Sequence, residues 1–195
     1  LSVPANVDQT SGDAVDVLNF ENVDASALSS AITLIGSSSA NVITGGSGND
    51  TIDGGGGADT IAAGAGDDRV SYYGSEVSID GGAGTNVLVL RAAANVNLAN
   101  ADQTYGDSTN VSNFQDVDAS GLITGVTITG SSAAETITGG AGNDTIDGGG
   151  GADVINALGG DDTVIYRGSE VSIDGGTGSD TLVLTAGSTV TGSRS

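Results

Sequence analysis

Cysteine, methionine, tryptophan, histidine and lysine are all missing from this 195-residue chain, and proline occurs once. Without cysteine no disulfide can brace the fold. Without histidine, cysteine or lysine, and with no base near its serines and threonines, the chain lacks the parts for acyl, phosphoryl or redox catalysis, so it is expected not to be an enzyme. Aromatic residues make up only 3 % of the sequence, too few for a large globular core. Positive charge is scarce as well: 4 basic residues, all arginine, stand against 25 acidic ones, for a formal net charge of −21. Nucleic acid and anionic membranes are therefore poor partners. There is no apolar run of membrane length and no secretory leader, so no membrane insertion is expected and the sequence reads as a segment internal to a longer chain.

What the chain has in abundance is glycine, 34 residues of it, placed by rule. A nine-residue phrase, Gly-Gly-x-Gly-x-Asp-x-apolar-x, runs without a gap through residues 45–53 and 54–62, and again through 139–147 and 148–156. Each phrase divides into a six-residue turn, whose glycines permit positive φ and leave room for carbonyls to converge, and a three-residue strand with one apolar side chain. The eighth positions line up as Leu34, Ile43, Ile52, Ile61, Val70, Ile79 and Leu88, and later as Ile128, Ile137, Ile146, Ile155, Val164, Ile173 and Leu182. A helix would let a stripe with this spacing drift around its axis. A coil that closes every two nonapeptides instead stacks it inward from two parallel sheets. The expected fold is all-β, a parallel β-solenoid with the ladders inside.

A longer period lies over the short one. Asn19-Phe20 recurs as Asn113-Phe114, and the run from Ser75 to Asp80 recurs from Ser169 to Asp174, each displaced by 94 positions. Two modules follow, 1–94 and 95–188, with glycine-rich rolls at about 36–89 and 130–183 and a non-repeating tail at 189–195. Because 94 is not a multiple of nine, at least one loop per module must break the regular coil. Ahead of each glycine run, Val17, Phe20, Val23, Leu28 and Ile32, with Val111, Phe114, Val117, Leu122 and Val126, form either wider coils of the same solenoid or caps on it. The ladder already begins at Leu34 and Ile128, which favours coils.

Turns on one edge of such a roll lie two nonapeptides apart, so sixth-position carboxylates should pair at a separation of eighteen. That rule selects Asp50 with Asp68, Asp144 with Asp162, and Asp162 with Asp180. Weaker versions are Asn41 with Asp59, Glu135 with Asp153, and Asp68 with Asn86. Oxygen donors alone, at a tight turn rich in carbonyls, suit calcium rather than zinc or copper. The fourth nonapeptide of each module has Val77 or Val171 at its sixth position, so a site there is expected to lack a carboxylate. Tyr72 and Tyr166, which open those nonapeptides, are read as covering the core. Asp53, Asp80, Asp147 and Asp174, just before Gly-Gly, are read as capping turn N–H groups or facing water, rather than as ligands. Arg69 and Arg167 are read as surface partners of nearby carboxylates, not as a binding patch.

On these phrases the chain resembles the RTX, or haemolysin-type calcium-binding, repeat family of secreted bacterial proteins. The resemblance implies a right-handed parallel β-roll with calcium between turns stacked on one edge. It also implies further ligands from backbone carbonyls: Gly46 and Gly48 with Asp50, facing Ala63 and Ala65 with Asp68. The second module would use Gly140 and Gly142 with Asp144, facing Ala157 and Gly159 with Asp162. Several calcium ions per chain are expected, and folding is expected to follow export, because extracellular calcium modules bind at around 10⁻⁴–10⁻³ M. The reading of function is a calcium-folded structural repeat of a large secreted or surface protein, adhesin-like, with neighbouring repeats as its partners. The alternative is an accessory module of an exported enzyme that aids secretion or touches polysaccharide, for which no basic or aromatic groove is present.

Overall fold

The computed structural model describes residues 20–185 and 187. Val17 and the tail at 189–195 lie outside the described residues. Among these no helix forms, and none is therefore long and apolar enough to cross a membrane. The first half contributes eight strands: β1 (Val23–Asp24), β2 (Thr33–Ile35), β3 (Val42–Thr44), β4 (Thr51–Asp53), β5 (Thr60–Ala62), β6 (Arg69–Tyr72), β7 (Ser78–Asp80) and β8 (Val87–Leu90). The second half adds β9 (Asn95–Asn97), β10 (Thr104–Tyr105), β11 (Asn110–Ser112), β12 (Asp116–Asp118), β13 (Thr127–Thr129), β14 (Thr136–Thr138), β15 (Thr145–Asp147), β16 (Val154–Asn156), β17 (Thr163–Tyr166), β18 (Ser172–Asp174) and β19 (Thr181–Leu184). Each repeat strand is only three or four residues long because the nonapeptide gives the other positions to its turn.

The strands form a parallel β-roll of about nine coils. Odd and even strands of the first half fall into different sheets. One runs β1-β3-β5-β7-β11 and the other β2-β4-β6-β8, with partners such as Thr33 and Thr51 or Ile43 and Ile61. The latter sheet does not stop at the join between the halves. β8 pairs with β12, and the sheet continues through β14 and β16 to β18, eight strands in all. β9, β13, β15, β17 and β19 build the facing sheet of the second half. The eighth-position side chains from Ile43 to Leu88 and from Ile128 to Val164 form one buried core, sealed in the first half by the Tyr72 ring. Their seventh-position neighbours, such as Thr51 and Thr145, face outward.

The segment ahead of the second glycine run continues the coil. Val111 sits in β11 against Ile79, and Val117 sits in β12 between Leu88 and Ile137. The residues that exceed the nine-residue rule are taken up by a β9–β10 hairpin, the single antiparallel pairing among the described strands. Gln103, buried at its foot, donates from Nε2 to the carbonyls of Leu98 and Phe114 and accepts the Phe114 N–H on Oε1. A buried amide with these bonds fixes the loop where no repeat could.

Candidate metal sites in the stacked turns

The sixth-position aspartates reach back to the preceding turn on the same edge. Asp68 Oδ1 accepts the Asp50 N–H at 2.7 Å and Asp162 Oδ1 accepts the Asp144 N–H at 2.7 Å. At the alternate turns of each half Asp59 accepts from Asn41 at 2.8 Å and Asp153 from Glu135 at 3.1 Å; the Asp68 and Asp153 turns lead into the shared eight-stranded sheet, and the Asp59 and Asp162 turns lead out of it on the other edge. Asp180 accepts from Asp162, Asn86 from Asp68, Asp50 from Ile32 and Asp144 from Val126. All eight contacts span eighteen residues, the separation expected of stacked turns. Each therefore joins one coil to the next.

These bonds use one oxygen. The second oxygen is bonded at the first turn of each glycine run, where Asp50 Oδ2 accepts the Gly46 N–H and Asp144 Oδ2 accepts the Gly140 N–H. Elsewhere the second oxygen has no partner: Asp59 Oδ2, Asp68 Oδ2, Asp153 Oδ2, Asp162 Oδ2 and Glu135 Oε2 are buried with no hydrogen bond. Burial raises the Asp59, Asp68, Asp162 and Glu135 carboxyls above the usual range. Neighbouring carboxylates push the same way: Glu76 and Asp53 on Asp59, Asp50 and Asp67 on Asp68, Asp144, Asp180 and Asp161 on Asp162, and Asp153 on Glu135. A buried carboxylate oxygen without donor or counter-ion is costly. It is what a cation site looks like before the cation's charge is counted.

The backbone around these oxygens has no room for side chains. A Cβ on Gly45 would lie 2.0 Å from the Ala63 carbonyl oxygen and 2.8 Å from Asp50 Oδ2. One on Gly54 would lie 2.6 Å from Asp59 Oδ2. The turn is a cradle of carbonyl and carboxylate oxygens that only glycine leaves open. Among the described residues no three acidic side chains gather as a metal cluster, so a cation here would be shared between carboxylates and main-chain carbonyls. Such an all-oxygen donor set fits a hard cation such as calcium.

Some of the carbonyls that the resemblance implies as ligands also bond to neighbouring coils. Gly46 O accepts the Ala65 N–H and Gly140 O accepts the Gly159 N–H, while Gly66 donates to Ala83 and Gly160 to Thr177. Second- and third-position carbonyls thus also carry coil-to-coil hydrogen bonds. Gly48, Ala63, Gly142 and Ala157 stand in the same stacked turns, the Gly48 carbonyl lying 2.5 Å from where a Gly66 Cβ would be.

Other expected roles appear as follows. Asp53, Asp80, Asp147 and Asp174 each cap the N–H two residues on, at Gly55, Gly82, Gly149 and Gly176. Arg69 pairs with Asp118 across the join, and Arg167 pairs with Asp147, whose carboxyl it holds below the usual range despite burial. The expectation of no carboxylate at the fourth nonapeptide is corrected. Val77 faces solvent, but Glu76, one position earlier, turns in and is buried, accepting the N–H groups of Tyr73 and Ser75.

Sequence reasoning also missed a second ladder at the fifth position. Asn49 accepts from Asp67, Asp67 from Thr85, Asn143 from Asp161 and Asp161 from Ser179. Its signal was legible, an Asn or Asp recurring every eighteen residues on one edge only. Gln115, which accepts the Asn86 N–H and ends the sixth-position ladder with an uncharged amide, follows no nine-residue rule and carried no such signal.

Comparison with known proteins agrees with this geometry. A family model, the RTX calcium-binding nonapeptide repeat in four copies, matches residues 35–70, 129–164 and 171–189. No curated protein matches the chain. With the phrase, the parallel roll and the oxygen-lined turns in agreement, the repeats of this chain belong to the RTX calcium-binding nonapeptide-repeat family.

Proposed function

We propose that the chain is a calcium-dependent structural module of a large secreted or surface bacterial protein, a rigid spacer that folds where calcium is plentiful, and not an enzyme. The observation that carries this reading is the set of buried, partnerless carboxylate oxygens in stacked turns. Asp59, Asp68, Asp153, Asp162 and Glu135 are the side chains assigned to hold the ions, with turn carbonyls beside them. Asp50, Asp144 and Asp180 lie in the same ladders, and Asn41 and Asn86 supply amide oxygens at the weaker positions. Bound calcium supplies positive charge that neutralises these carboxylates and ties adjacent turns together.

The chain's own residues explain why folding should wait for it. With a formal charge of −21 and a core of Ile, Val and Leu ladders, the ion-free roll must bury acids against like charge. An ion that binds only the folded state adds about 1.4 kcal/mol per site at tenfold excess over Kd. Secretion into millimolar calcium would then convert an open chain to a roll, which agrees with a family found in secreted proteins. Far-UV circular dichroism in calcium and in chelator tests this. The β-signal should form with calcium and collapse on chelation, and an unchanged spectrum would refute the switch.

A further inference from the structure

We propose that the join between the two rolls is a calcium-independent folding seed, residues 72–128 keeping their structure without ions while calcium winds the rolls outward from them. The inference rests on the calcium-folded reading above, since a seed matters only if the rest of the chain waits for the ion. None of the orphaned carboxylate oxygens lies in this stretch. Asp59 and Asp68 come before it, and Glu135, Asp153 and Asp162 come after it. Its own acids are bonded: Glu76 and Asp80 accept turn N–H groups, Asp102 the Val111 N–H, Asp107 the Tyr72 hydroxyl and Asp118 the Arg69 guanidinium. Asp116, whose carboxyl burial raises, still accepts the Thr136 N–H at 2.6 Å. No cation is needed to satisfy an oxygen here.

The turn ladder changes chemistry as it enters the join. Asn86 stands where the second module has Asp180, and Gln115 where the first has Glu21. Asn86 Oδ1 accepts the Asp68 N–H at 2.9 Å and Gln115 Oε1 accepts the Asn86 N–H at 2.7 Å, so the coil-to-coil bond that aspartate makes elsewhere is made without charge. An amide also brings a donor, and Asn86 Nδ2 gives its own to the Asn113 carbonyl at 3.0 Å. Gln103 bonds the hairpin in the same neutral way.

The core is heaviest at the same place. Tyr72 and Phe114, each 2 % exposed, are the aromatic side chains buried among the described residues, and they share one cluster with Leu88, Leu90, Val96 and Val111. The rolls on either side add mainly one aliphatic side chain per nonapeptide. Contacts within the join are also close in sequence, with β9 and β10 forming a hairpin and β11 and β12 lying against β7 and β8. Domains of roughly 55–65 residues fold alone where the core suffices. In a stack of repeats, a formed unit then lowers the cost of adding its neighbour. Calcium is therefore taken up first by the turns that flank the seed, those of Asp68 and Glu135, and afterwards farther out. When the rest of the β-signal collapses on chelation, the join stays ordered.

The test is amide hydrogen exchange read by mass spectrometry on the 195-residue chain, in EDTA and in calcium chloride. In EDTA, peptides covering residues 86–117 should exchange more slowly than an unfolded reference by about tenfold or more, while those covering 45–62 and 139–156 exchange like it. In calcium all three regions should be protected. A second arm restores the acids found in the other copies, Asn86→Asp with Gln115→Glu, which should abolish the protection in EDTA and return it in calcium. An unprotected join in EDTA, in a chain whose rolls fold in calcium, overturns the seed alone. So does a double variant that keeps its protection in EDTA. Rolls protected in EDTA, or unprotected in calcium, overturn the calcium reading itself. The wild-type comparison needs no variant, so a substitution that fails to fold in calcium leaves the test standing.

Discussion

Leu158 occupies the second turn position with φ of 72°, where Gly55, Gly64, Gly82 and Gly149 hold the equivalent place with φ from 75° to 109°. Left-handed backbone costs a residue with a Cβ about 1–2 kcal/mol, so Leu158→Gly should stabilise the calcium-bound roll by about 1 kcal/mol, read as a raised urea midpoint. The reverse change is worse than its φ suggests. An Ala at Gly82 would put its Cβ 1.9 Å from the Gly64 carbonyl oxygen, so Gly82→Ala should lower stability by roughly 2 kcal/mol or more. Carboxylates separate in the same way. Asp68→Asn keeps an oxygen for the Asp50 N–H but removes the buried charge, so the calcium midpoint of folding should rise by about tenfold, or 1.4 kcal/mol. Asp67→Asn, on the exposed ladder one residue earlier, should shift it little, and equal shifts would mean that only overall charge matters.

At the scale of elements, the regular coils were legible and the join was not. Periodicity placed the strand centres of the glycine runs because each nonapeptide contributes one inward residue, and the step of nine leaves no other register. Across residues 91–126 it favoured continued coils and required a loop, which β11 and β12 bear out, but it did not say where the chain adds length without losing the stack. There the outcome depends on individual side chains: Gln103 bonding across its loop, Tyr72 donating to Asp107, and Thr109 donating to the Glu76 carbonyl. None of these follows from a repeat, and Glu76 itself was passed over because the rule looked at the sixth position. Gln103→Leu keeps bulk but orphans the Leu98 and Phe114 groups at a buried site. It should cost about 1–3 kcal/mol for a buried group left unsatisfied. Unfolding in calcium would show it, and amide exchange near Phe114 should accelerate first.

For the whole molecule, acid and calcium should act on the same oxygens in different ways. Asp59, Asp68, Asp162 and Glu135 have folded carboxyls raised above their unfolded values, chiefly by burial. Between the unfolded and folded pKa the roll binds more protons than the open chain, so the stability of the ion-free roll falls as pH rises through that window and grows as pH is lowered. Asp147, held low by Arg167, and Glu170, held low by the N–H groups of its own loop although burial opposes them, behave oppositely. Their contribution is present above the ordinary carboxylate range and is lost as pH falls below it. In chelator the chain should therefore gain β-structure as pH is brought down toward about 4–5, the upper side of ordinary carboxylate values, and lose it again at lower pH. Screening separates this from simple relief of charge repulsion. About 1 M sodium chloride at neutral pH shrinks the Debye length to roughly 3 Å but neither protonates nor bridges a buried oxygen. If salt alone restores the ion-free roll as fully as acid does, the buried oxygens are not what keeps the chain open.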